Sequence, residues 1–205
     1  MTVYCQIITP TKITSLPENL ADKILLILTN NAGKDIESLI VQTLSRFNPG
    51  LNESDIAISR NKNVKPFSGN IKTNFNISKS ENLIAIAFTD DSEIGIDIEK
   101  ISGEKIFSKL YIFFSENEIE KIQSDKSLKT FFKLWTRKES FLKFLGTGIT
   151  DEANKTSLAS EKNKIEIEIY SKSDEAYINS FVISDEIYCS VCTSQNKPIY
   201  LLTIE

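Results

Sequence analysis

Residues 93–99 read Glu93-Ile94-Gly95-Ile96-Asp97-Ile98-Glu99. The side-chain period of a strand puts Ile94, Ile96 and Ile98 on one face and Gly95, Asp97 and Glu99 on the other. Same-face neighbours lie roughly 7 Å apart at Cα, close enough for two carboxylates to share one hard cation. Gly95 leaves room on that face for something to approach the backbone. The plain alternative is an amphipathic strand whose acidic face is wet.

Working outward, residues 55–59, 75–78 and 83–89 also read as strands, and Asp90-Asp91-Ser92 is expected to close a hairpin onto residues 93–99. Upstream, residues 3–8 alternate weakly as a strand. Residues 20–29 and 34–47, split by Asn30-Asn31-Ala32-Gly33, are expected to form two helices, with Leu39, Ile40, Leu44 and Phe47 at helical spacing. Downstream of Ile101 the texture turns helical. Ser115-Glu116-Asn117-Glu118 has the form of a capping box, and a longer helix is expected over 127–145, ending at Gly146. The tail returns to strands at 164–170, 178–184, 187–193 and 199–204, after a polar loop over 151–163. Helices followed by an antiparallel meander, twice over, predict an α+β fold. It is a pseudo-dimer of two similar halves, 1–102 and 103–205, each with helices packed on a small antiparallel sheet.

The chain has 205 residues, enough to bury a sizeable interior, and 24 Lys+Arg against 28 Asp+Glu give −4. That balance, with no basic block, argues against a nucleic-acid partner. Only Arg46, Arg60 and Arg137 are arginine, so lysine must do most of any anion binding. There is no His, which excludes Ser-His-Asp and Cys-His catalysis and His-ligated zinc. Three Cys suggest a reducing compartment. The opening residues have no basic n-region, and no apolar stretch approaches the roughly 18 residues of a membrane span. The expectation is therefore a cytoplasmic protein with no membrane partner.

The second helix sharpens the acidic strand. With Trp135 at the centre of its apolar stripe, Phe131, Phe132, Leu128, Leu142 and Leu145 share a broad face. Glu139 lies about 40° from that centre, with Lys138 and Lys143 on the margins. A carboxylate among aromatics needs compensation. An i, i+4 pair with Lys143 would supply it on a solvated face. A metal ion is the sharper answer: Asp97, Glu99 and Glu139 suit Mg²⁺, which takes oxygen ligands and keeps positions open for water and phosphate. Three anions against one dication leave −1, so Lys143 is expected to face an anionic ligand. Upstream, Arg60-Asn61-Lys62-Asn63-Val64-Lys65-Pro66 and Phe75-Asn76-Ile77-Ser78-Lys79-Ser80 place cations beside hydroxyls, as a phosphate pocket requires and as a solvated loop also allows.

Together these residues, from Lys65 through Gly95-Ile96-Asp97-Ile98-Glu99, Phe113-Phe114 with Glu118, Trp135-Thr136-Arg137-Lys138-Glu139-Ser140-Phe141-Leu142-Lys143 and Gly146-Thr147-Gly148, resemble the Sfp-type 4'-phosphopantetheinyl transferases. The resemblance implies a pseudo-dimeric α+β monomer with its active site between the halves. It implies transfer of the phosphopantetheine arm of coenzyme A to a serine of an apo acyl or peptidyl carrier protein, releasing 3',5'-ADP. Asp97, Glu99 and Glu139 match the family's magnesium ligands and Lys143 its pyrophosphate-facing lysine. Lys65 matches the lysine of a Lys-Pro pair near the nucleotide, and Ser78 the first serine of a Ser-His-Ser run. Lys79 stands where the family usually places His; it keeps its charge through neutral pH where His would titrate.

In this reading Arg60, Lys65, Ser78, Lys79, Asp97 and Lys143 contact the nucleotide or its metal. Glu139 is the candidate base and Lys143 stabilises the departing phosphate oxygen. The alternative, motivated by Lys79, is a homologue that only binds coenzyme A or a carrier. Residues 107–114 read either as a core segment or as a strip for a carrier helix. Cys189-Ser190-Val191-Cys192 sits in a strand pattern and reads as structural.

Overall fold

A computed structural model describes residues 3–8, 16–30, 33–60, 66–69, 71–101, 110–125, 128–148, 153–160, 164–166, 175–184 and 186–204. The fold is α+β, and the chain divides into two compact units, Met1–Ile94 with Asn196–Glu205, and Gly95–Gln195.

The first unit is built on β1 (Val3–Ile8), β2 (Ile24–Asn30), β5 (Thr73–Ser80), β6 (Leu83–Asp90) and β11 (Ile199–Ile204), in the order β1-β11-β2-β6-β5. β11 runs parallel to both β1 and β2; β6 runs antiparallel to β2 and β5. Helix α1 (Ile36–Phe47) starts where Asp35 accepts a hydrogen bond from the Ser38 N–H at 3.0 Å. It buries Ile40, Leu44 and Phe47 against Leu25, Ile27, Ile84, Ile86 and Phe88, the alternate residues of the two central strands. Two residue pairs, β3 (Ser59–Arg60) and β4 (Pro66–Phe67), form a separate ladder, and Glu53–Asp55 is a 3₁₀ turn where a strand over 55–59 is expected.

Three further expectations are corrected in this unit. Residues 20–29 hold no helix: Ile24 through Thr29 form a strand whose every side chain is buried. A continuous apolar run suits a strand covered on both faces as well as it suits a buried helix, and the flanking strands β11 and β6 decide the matter. The expected run of two helices before the strands also fails, since β2 joins the expected strand β1 ahead of α1. Finally, Asp90-Asp91-Ser92 closes no hairpin. β6 already has a neighbour along each edge, so β7 (Ile94–Lys100) pairs in another sheet.

That sheet belongs to the second unit, in the order β7-β10-β9-β8, with β8 (Lys164–Glu166), β9 (Glu175–Ser184) and β10 (Ile187–Thr193) antiparallel in sequence order. Helix α2 (Glu116–Asp125) precedes α3 (Leu128–Leu145), which lies along β10 and β9. Phe141 and Phe144 pack on Leu158, Ile165, Ala176, Ile178 and Cys192. Phe131, Phe132, Leu134 and Trp135 pack on Phe114 and Ile122. The helix ends at Gly146, whose φ of +71° favours glycine and whose N–H donates to the Leu142 carbonyl at 2.9 Å. Both Cys189 and Cys192 are buried free thiols. No described helix is long and apolar enough to cross a membrane.

Candidate active site

β7 forms as the alternation requires. Ile94, Ile96 and Ile98 are fully buried, and Gly95, Asp97 and Glu99 share the opposite face. That face lies directly on the backbone of α3. A Cβ on Gly95 would stand 2.0 Å from the Ser140 carbonyl oxygen and 2.4 Å from the Phe144 nitrogen. Strand and helix therefore touch main chain to main chain, and only glycine permits it. The same stretch of helix carries Lys143, which reaches Asp97.

Asp97 is 4% exposed, and its Oδ1 accepts a hydrogen bond from Lys143 Nζ at 2.7 Å. Glu139 projects into the same charged neighbourhood. Burial first, then the charge of Asp97, with a smaller push from Glu99, raises its carboxyl to about 7, while Lys143 pulls it down. Three acids and one ammonium, assigned from the sequence, are thus in one electrostatic cluster. The thiol of Cys189, buried near Asp97 and Lys143, is pushed well up by its burial and is inert as a nucleophile.

The donor chemistry suits a hard dication: carboxylate oxygens, mutual like-charge crowding around Glu139 and one lysine already answering Asp97. As placed, no three acids or thiols among the described residues are gathered tightly enough to ligate one ion.

The setting of Glu139 differs from the helical-wheel expectation. α3 is not a one-sided amphipathic helix: Thr136, Arg137, Lys138 and Ser140 are buried along with its aromatics. It is covered by the sheet on one side and by α2 and the aromatic cluster on another, while Leu128 is exposed. Lys138, expected on a margin, is fully buried. Its Nζ lies 2.9 Å from Glu118 Oε2 and donates to the Thr156 carbonyl at 2.7 Å. Burial lowers its pKa and the Glu118 charge opposes that. Arg137 donates from Nε to the Leu158 carbonyl, from Nη2 to the Ser160 carbonyl and from Nη1 to Ser180 Oγ. The sequence marks Glu118 as a capping residue and as part of the family resemblance, but gives it no partner on the long helix. Its i+3 position behind Ser115 was the signal for the cap, and nothing local to residue 118 points to Lys138.

The remaining site candidates lie in the first unit. Ser78 and Lys79 are consecutive in β5, opposite Ala85 and Ile84 of β6, so their side chains leave opposite faces: Ser78 buried, Lys79 exposed. The Arg60 backbone pairs with Pro66 in the β3–β4 ladder. Lys65 lies outside the described residues, as do residues 107–109; in the rest of the 107–114 segment, Tyr111–Phe113 is a 3₁₀ turn with Ile112 exposed, and Phe114 is buried.

Residues 93–192, from the edge of β7 through α2 and α3 into β10, match the model of the 4'-phosphopantetheinyl transferase superfamily. The chain is similar to that superfamily over just under half of its length. It is 32% identical over 165 residues to the 4'-phosphopantetheinyl transferase gsp of Aneurinibacillus migulanus, covering 77% of this chain and 65% of that protein. It is 29% identical over 150 residues to the 4'-phosphopantetheinyl transferase ffp of Bacillus subtilis, covering 71% and 66%. It is 29% identical over 148 residues to the 4'-phosphopantetheinyl transferase Sfp of Bacillus subtilis strain 168, covering 70% and 66%. The chain thus spans about 65% of the length of these curated relatives. All the acids of the cluster, with Lys143, Glu118 and Lys138, fall within the superfamily span.

Proposed function

We propose that the protein is a magnesium-dependent 4'-phosphopantetheinyl transferase. It moves the arm of coenzyme A to a serine hydroxyl of an apo acyl or peptidyl carrier protein and releases 3',5'-ADP. The observation that supports the reading is the Lys143–Asp97 ion pair, with Glu139 under the charge of Asp97, Lys143 and Glu99, within the span that matches the superfamily.

In this reaction the serine Oγ forms a bond to the β-phosphorus of coenzyme A, and the bond from that phosphorus to the bridging oxygen breaks. The serine proton leaves to a base, and the bridging oxygen departs with 3',5'-ADP. Positioning and charge neutralisation lower such a barrier more than covalent catalysis does. Asp97, Glu99 and Glu139 would hold the dication, which would supply charge neutralisation at the diphosphate. Glu139 takes the serine proton. Lys143 donates to the departing phosphate oxygen and stabilises its charge. Arg60, Lys65, Ser78 and Lys79 are assigned to the nucleotide end of coenzyme A, with Lys79 supplying a permanent charge where the family's usual His would titrate. The protein acts as a cytoplasmic monomer on a protein partner, without nucleic acid.

The test is to incubate the protein with Mg²⁺, coenzyme A and a panel of apo carrier proteins, then weigh each carrier intact. Addition of the phosphopantetheine mass to at least one carrier, abolished by Asp97→Ala, is expected. A folded protein that modifies none of them overturns the reading.

A further inference from the structure

Glu118 and Lys138 stand outside the acidic cluster, yet both are completely buried, and their pairing joins three separate parts of the second unit. Glu118 Oε2 accepts hydrogen bonds from the Ser115 N–H at 2.7 Å and from Ser115 Oγ at 3.0 Å, closing the start of α2. Its Oε1 accepts from the Leu158 N–H at 2.8 Å. Lys138 brings α3 to the same carboxylate and reaches the Thr156 carbonyl of that same connecting segment. A buried ion pair is poor evidence for stability, because dehydrating both charges offsets most of their attraction. What such a pair can do is favour one arrangement, since a shifted helix would leave buried charges without their partners.

The arrangement selected here is the rotation of α3 about its axis. Lys138 immediately precedes Glu139, and Lys143 follows five residues later on the same helix. Neighbouring side chains extend to a radius of roughly 5–6 Å, so a helix rotation of about 20° would carry the Glu139 carboxylate about 2 Å. Misplacement of a reacting group by about 1 Å can cost about 100-fold in rate. On the other side of Lys138, Arg137 is anchored to Leu158, Ser160 and Ser180, and Thr136 Oγ1 meets Ser190 Oγ of β10 at 2.9 Å. Three consecutive residues thus hold one turn of α3 to α2, to the 156–160 segment and to the sheet. The next residue is Glu139.

We propose that Glu118 is a positioning residue for the transferase reaction: through Lys138 it sets the rotation of α3, so that Glu139 and Lys143 face Asp97. The inference rests on the proposed transferase activity, and its test separates the two. The double variant Glu118→Gln/Lys138→Met removes both charges while the Gln Oε1 can still accept from the Leu158 N–H, so a folded protein is expected, checked by its melting temperature. Two quantities are then read: the Kd for Mn²⁺, measured with MnCl₂ alone by electron paramagnetic resonance, and kcat at saturating Mg²⁺, coenzyme A and carrier. A weakening of Mn²⁺ binding by about tenfold and a drop in kcat of at least tenfold, with KM for coenzyme A within about threefold, are expected. A folded double variant with both quantities within twofold of wild type overturns the proposal. Should the double variant not fold, Lys138→Arg decides. It keeps the charge but cannot place its planar group where Nζ sits, so the same two losses are expected, and their absence overturns the proposal. If the wild type itself modifies no carrier, the transferase reading has failed, and the Mn²⁺ comparison alone judges the positioning role.

Discussion

Lys143 Nζ lies 2.7 Å from Asp97 Oδ1, across 46 residues of sequence and between a strand and a helix. Asp97 is nearly buried, whereas the lysine side chain is 29% exposed. The pairing therefore neutralises a carboxylate that water cannot reach with an ammonium that can swing away. The lysine is the cation that the structure sets against Asp97.

Lys143→Met removes that ammonium. The expected result is tighter Mn²⁺ binding, by about three- to tenfold, because the cation no longer competes with a charged side chain. Turnover should fall by about 100-fold for want of a donor to the departing oxygen. Direct Mn²⁺ titration and intact-mass kinetics on one preparation check both signs; weaker Mn²⁺ binding contradicts the arrangement.

Glu139 gives the metal-free protein a pH-dependent stability. Its folded-state value of about 7 exceeds the ordinary 4.5, so between these pH values the folded state binds more protons than the unfolded state. Stability contributed by this group therefore falls as pH rises from 4.5 to 7. Urea melts of wild type and Glu139→Gln in chelator should converge near pH 4.5 and separate toward pH 7, with the variant the more stable. Adding Mg²⁺ should shrink the separation.

Gly95→Ala should be among the most damaging single-methyl additions in the chain. The added carbon would fall 2.0 Å from one helix backbone atom and 2.4 Å from another, and neither can move without displacing α3. A loss of about 3 kcal/mol in denaturant unfolding is expected. A loss below about 1 kcal/mol would show that the strand and helix are not in main-chain contact.

Leu26 tests the central strand. It pairs with Leu201 of β11 and Ala87 of β6 and is fully buried, so Leu26→Ala should cost about 2–5 kcal/mol. Leu26→Pro, which removes a ladder N–H from an interior strand, should abolish folding, as judged by circular dichroism.

The acidic strand, α1, the capping box, the long helix ending at Gly146 and the strands at 187–193 and 199–204 were legible because each is written in a local pattern of period two or 3.6 with a stop signal beside it. Residues 20–29 were not, because a run of Ile and Leu without polar punctuation carries no period. Its identity as β2 came from a partner strand about 170 residues later. The burial of Lys138 was hidden for a related reason: a helical wheel assumes one covered side, and α3 has more than one.

By itself, the order of residues determined which chemistry was available: a pair of acids two apart on one strand face, a third acid and a lysine on one helix, and no imidazole anywhere. Those facts depend on covalent spacing and composition, which folding does not alter. Only the tertiary structure decided that the strand lies against the helix at Gly95, that Lys143 reaches Asp97, and that Lys138 turns inward to Glu118. Each of these depends on side chains far apart in sequence competing for the same space and the same charge, and that competition is resolved only when the chain is packed.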